Sequence, residues 1–188
     1  MKERPYCTVP MGYGFDPHMT GRPDREGAAR LKRAIHVGNR KKGDYKKVRM
    51  VLAAGKQQEA ARFGSISLSH SARATLLAAP WWEENSIDMN PLGFDTPTEL
   101  IAAKQVIRAM NGIPHAVTSW WHAPRTYLTG LAIFGWRFKV SMSHTALRGA
   151  ELRREIAMEA VKLVPSFFHA LWTRFAFRPE PLAKLASI

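Results

Sequence analysis

A mainly α fold is what this sequence predicts, and three observations carry the expectation. Helix start and stop signals recur along the chain, period-two alternation is scarce, and an aromatic-flanked apolar stretch near residues 120–142 is long enough to form a helix. The chain of 188 residues suits one domain with a real core, and its apolar share of 46% with six Trp and nine Phe argues against disorder.

Residues 1–23 hold Pro5, Pro10, Pro17 and Pro23 among Gly12, Gly14 and Gly21, which predicts an extended N-terminal arm. Residues 24–79 read as a basic helical region. Asp24 caps a helix to about Val37 whose stripe is Ala28, Leu31, Ala34 and Ile35. Asp44 starts a second helix to about Phe63, with Val48, Val51 and Leu52 on its stripe. Alternation from Ser65 to Ser69 fits a short strand or an extended link, and a short helix follows from Ser71 to Ala79. Residues 80–95 read as an acidic loop carrying Trp81 and Trp82. The region 96–188 is expected to be helical again. Thr96 as N-cap, Pro97 behind it and Glu99 closing a capping box open a helix that ends at Asn111-Gly112. Ser143 or Thr145 caps a later helix through about Val164, Pro165 kinks or breaks it, and Ser166 to Phe177 continues as an aromatic amphipathic segment.

The stretch Trp120–Met142 supports two readings. A membrane-spanning helix needs roughly 20 mostly apolar residues, and the stretch has that length with Trp120, Trp121, Tyr127, Trp136 and Phe138 near its ends. Arg125 and Arg137 would lie roughly 18 Å apart along such a helix, so both would have to snorkel outward. From Trp136 onward, however, Trp136, Phe138, Val140 and Met142 alternate with Arg137, Lys139, Ser141 and Ser143. That is the pattern of a half-buried strand, so the stretch is either a spanning or interfacial helix or a soluble β-hairpin or core segment.

Lys and Arg number 28 against 15 acids, a net charge of +13. Such an excess points to a polyanionic partner, either anionic phospholipid or RNA. The charge concentrates around one turn, and Arg30, Lys32, Arg33, Arg40, Lys41, Lys42, Lys46, Lys47 and Arg49 are the expected polyanion contacts; the alternative for such a run is a solvated face.

Recognisable catalytic chemistry is missing. The seven His form no HExxH or HxxxH pair, and His115 and His122 beside the Trp pair read as hydrogen-bonded structural residues. Gly12-Tyr13-Gly14 lacks the third glycine of a dinucleotide fingerprint, and the single Cys7 excludes an internal disulfide. No catalytic residue, metal, cofactor or small-molecule substrate is expected. The first residues carry no apolar core of a signal peptide and no amphipathic transit helix.

The sequence therefore predicts a non-catalytic accessory subunit of a membrane-associated energy-converting assembly, a mitochondrial respiratory complex or ATP synthase. Its place would be the inner membrane, among other protein subunits and anionic phospholipid, with Trp120, Trp121, Tyr127, Leu131, Phe134 and Trp136 as membrane or partner contacts. That organelle follows from the class of protein and not from any address in the sequence. The alternative is an organellar ribosomal or other RNA-binding subunit, and a third reading is a small soluble enzyme.

Overall fold

Tyr6–Pro10, expected to belong to a free arm, is the middle strand of a five-stranded sheet. The computed structural model describes residues 1–12, 23–55, 57–60, 64–78, 82–93 and 95–176. Expectations for Trp81, for the glycine pattern beyond Gly12 and for the end of the C-terminal aromatic segment lie outside these residues.

In chain order the elements are β1 (Tyr6–Pro10), α1 (Arg25–Lys41), β2 (Val48–Ala54), a hairpin of β3 (Gln57–Ala60) and β4 (Gly64–Ser67), then α2 (Leu68–Leu77) and β5 (Ile87–Gly93). They continue with α3 (Thr96–Ala109), β6 (Ile113–Ser119), α4 (Ala123–Phe134), β7 (Lys139–Ser143) and α5 (Gly149–Ala176). The main sheet has the order β5-β2-β1-β6-β7 and all its pairings are parallel, while β3 and β4 pair antiparallel and separately. The fold is therefore α/β and not mainly α.

The strands β1, β2 and β6 escaped sequence reading because both of their faces are covered. Met50 and Leu52 join the apolar layer beneath α1 and α2, with Leu31, Ala34, Val37 and Leu76. Val51 and Ala53 join the layer beneath α3, α4 and α5, with Leu100, Ala103, Ile107 and Ile133. A strand buried on both sides reads as a continuous apolar run and loses its alternation. For that reason the helix expected from Asp44 to Phe63 is a strand and the start of a hairpin; the loop expected over 80–95 contains the edge strand β5, whose Asn90-Pro91 and Gly93 read as a turn. There Arg49 of β2 holds Asp88 of β5 bidentately, at 2.8 and 2.6 Å.

The stretch 120–142 divides into α4 and β7. No helix among the described residues is long and apolar enough to cross a membrane. The alternation from Trp136 does mark a strand, but β7 runs parallel to β6 across a helical crossover, so it is not half of a hairpin. Gly130 makes this crossover tight: a Cβ there would lie 1.9 Å from the Phe138 ring, which instead packs against bare backbone. Pro165 does not end its helix, for α5 runs unbroken from Gly149 to Ala176.

Candidate functional site

The order of strands reverses beside β1. The chain winds outward through β2 to β5, then crosses back to β6 and on to β7. In open α/β sheets such a reversal leaves a crevice at the carboxyl ends of the two central strands, where ligands bind. Here those ends are Pro10 of β1 and Ser119 of β6.

Two clusters of buried ionisable groups stand there. The first comes from α1. Asp24 caps the helix by accepting from the Gly27 N–H at 2.6 Å, and the first two turns carry Glu26 and Arg30 on one face. Both are 1% exposed. Arg30 donates from Nε to the Ser119 hydroxyl at 2.9 Å and from Nη1 to the Gly12 carbonyl at 3.0 Å, and its guanidinium lies over the Trp121 ring at 5.5 Å. Glu26 accepts from the Ser119 hydroxyl, from the Thr145 hydroxyl at 2.9 Å and from the Ala146 N–H at 2.7 Å. The first helix is thereby tied to the ends of β6 and β7.

The second cluster joins α3, α4 and α5. Asp95, not Thr96, is the N-cap of α3, accepting from the Thr98 N–H at 2.9 Å with Thr98 closing the box. Thr96 and Glu99 are thus released from capping and turn inward. The Thr96 hydroxyl and His122 Nε2 are 3.1 Å apart, and His122 Nδ1 lies 2.8 Å from Glu159. Arg125, one turn along α4, grips the same carboxylate from Nε and Nη2, both at 2.6 Å. Glu99 accepts from the Gly12 N–H at 3.1 Å.

Burial sets the protonation of these groups. Desolvation lowers His122 to about 4, more than the Glu159 hydrogen bond raises it, so the imidazole is neutral at pH 7. It then donates from Nδ1 to Glu159 and accepts from Thr96 at Nε2, a hydrogen-bonded chain and not an ion pair. Burial alone would raise Glu159, but the bonds from His122 and Arg125 outweigh it and hold the carboxylate at about 2; with His122 neutral, Arg125 is its counter-charge. Glu99 moves the other way: burial pushes it up to about 8, against the Gly12 N–H, so it keeps its proton at pH 7.

The expected contacts scatter. Lys32, Arg40, Lys42, Lys46 and Lys47 are exposed, Arg33 and Lys41 half-buried, and Arg49 engaged by Asp88. Arg30 is internal, where no surface polyanion reaches it. Trp121 is buried in the crevice, Leu131 and Phe134 are half-buried, and Trp120, Tyr127 and Trp136 are exposed at separate places. His115 is structural, as expected: Tyr6 Oη and Ser141 Oγ bond its two ring nitrogens, and burial lowers it to about 4. Cys7 lies in the core and not in an arm, where burial pushes its thiol up to about 12. Among the described residues no group of three His, Cys, Asp or Glu side chains could hold a metal.

Glu26 and Arg30 did leave a signal. With Ala34 they recur every four residues, so two charged side chains stand in register with the apolar stripe of α1. The chain matches no protein-family model, and no curated protein or solved structure is significantly similar to it.

Proposed function

We propose that this chain binds a small polar molecule at the carboxyl ends of β1 and β6 and moves a proton to or from it. One observation carries the reading. Glu99, a carboxyl that keeps its proton, and Thr96, which bonds the neutral imidazole of His122 at the N-cap of α4, both stand on the first turn of α3 beside the strand reversal. Titratable groups pushed apart in this way mark an acid and a base. Glu99 is the proton donor, and His122 acts as the base through the Thr96 hydroxyl, whose proton its Nε2 takes as that oxygen receives the ligand's. Thr96 and Glu159 position the imidazole, and Arg125 holds Glu159.

Binding is tested by an amide and indole NMR titration with a panel of small carboxylic acids, sugars and nucleosides. A ligand that shifts Gly12, Ser119 and the Trp121 indole supports the reading. A panel whose binders all act elsewhere overturns it.

A second reading, the accessory subunit, draws on a different observation. Val161, Val164, Phe168 and Trp172 recur along one side of α5 and are exposed, the last two by 62% and 72%. Such a face suits a neighbouring subunit, and the charge of +13 suits anionic phospholipid or RNA. Attachment would be peripheral. Sedimentation with vesicles containing phosphatidylserine, expected to be lost in Phe168→Ser/Trp172→Ser, tests the lipid form; a shift in sedimentation after nuclease treatment would favour RNA instead.

A further inference from the structure

The opposite edge of the sheet holds a groove of about 530 Å3 between α3, α4 and the starts of β1 and β6. Ligand sites for small molecules run from roughly 300 to 1,000 Å3. Among the described residues, four cationic side chains line it, Arg4, Lys104, Arg108 and Arg137, and no acid does. They come from three separate parts of the chain, Lys104 and Arg108 sharing α3, so no charge run betrays them in the sequence.

The groove is prepared for an anion in two ways. Asn111 ends α3 in the left-handed conformation (φ 53°), which turns its carbonyl and that of Gly112 toward Arg4. Arg4 donates to both, from Nε at 2.8 Å and from Nη2 at 3.1 Å, and this fixes its guanidinium at the rim. A cation ordered before a ligand arrives loses less side-chain entropy on binding. Arg108 and Arg137 are exposed and reach the same space from the last turn of α3 and from the turn after α4. The simplest alternative is that these cations offset the negative ends of two helices. That term amounts to about half a charge per helix, against the two full charges of the exposed Arg108 and Arg137. Opposite the cations, Ile133 and Phe134 give the groove an apolar wall, and the Phe134 ring is itself stacked on Phe138 at 5.3 Å.

We propose that this groove binds a phosphorylated small molecule of nucleotide size, its phosphates against Arg4, Arg108 and Arg137 and its flat apolar part against Ile133 and Phe134. Guanidinium groups suit phosphate because their planar forks match its oxygens two at a time. This site is independent of the one at the strand carboxyl ends.

Calorimetric titration with ADP, inorganic pyrophosphate and adenosine tests it at about physiological ionic strength. ADP is expected to bind, pyrophosphate about tenfold more weakly and adenosine not measurably. The variant Arg108→Glu/Arg137→Glu, whose changes are both on exposed side chains, should weaken ADP by at least about tenfold. Arg148→Glu/Arg153→Glu, an equal charge change on exposed residues at the start of α5, should alter it less than about twofold. Equal losses in the two variants, or no ADP binding by the unaltered chain, would overturn the proposal. A lipid source is distinguished by phosphatidylcholine vesicles carrying phosphatidic acid: binding to these that the groove variant loses, without ADP binding, also overturns it.

Discussion

The two edges of the sheet treat charge in opposite ways. At the carboxyl ends of the strands, Glu26, Arg30, Arg125 and Glu159 are buried; Glu26 and Arg30 meet at the Ser119 hydroxyl, and Arg125 grips Glu159. At the amino ends, Arg4, Lys104, Arg108 and Arg137 face an open groove with no acid among them. Charge that is costly to desolvate is kept only where it is answered from within. At the other edge, the exposed Arg108 and Arg137 stay where water and a ligand can reach them. The first edge keeps its charges paired internally around the crevice proposed to bind a small polar molecule, and the second presents cations to the outside.

The largest effect should separate the edges most sharply. Arg125→Ala leaves Glu159 buried without its counter-charge and is expected to cost about 3–5 kcal/mol, read from chemical denaturation. A loss as small as that of a surface change would break the contrast. Glu99→Gln comes next. The folded carboxyl titrates near 8 against an unfolded value of 4.5. The folded state thus binds more protons between those values, and stability falls as pH rises through that window. The Gln variant, which can still accept from Gly12, should gain on the natural chain in melting temperature from pH 5 to pH 8. His122 and His115, both lowered to about 4 from 6.5, act in the reverse sense and weaken the fold as pH falls from 6.5 toward 4.

At the amino edge, backbone should matter more than charge. A Cβ on Gly112 would lie 2.5 Å from the Cys7 sulfur, so Gly112→Ala is expected to destabilise by about 1–3 kcal/mol through overpacking beneath the groove. Arg108→Ala and Arg137→Ala should each change stability by no more than about 0.5 kcal/mol. A large loss in either would mean that the groove, too, is structural.

Legibility in the sequence followed the same division. The Asp24 cap of the first helix and the Asn111-Gly112 end of α3 are legible because caps and stops act locally, whereas α1 runs past the expected end near Val37 to Lys41 and α2 starts at Leu68, capped by Ser67, ahead of the expected Ser71. β1, β2 and β6 are not legible, since burial on both faces erases the alternation that marks a strand. The capping box was assigned one residue late, and this hid Thr96 and Glu99 from notice as inward-facing groups. Arg30 stood among the expected surface cations because a run of charge does not reveal which of its members faces inward. The groove escaped because folding, not proximity in sequence, brings its cations together.

The central position of β1 has a consequence for synthesis. Tyr6 meets its β6 partner His115 across a separation of 109 residues. Ribosomes add about 5–20 residues each second, so the first strand waits on the order of 5–20 s for one of its neighbours. During that interval a strand made to be covered on both faces has one open edge and a bare apolar side. The newborn chain is then a substrate for chaperones, and β1 is the segment they would be expected to hold.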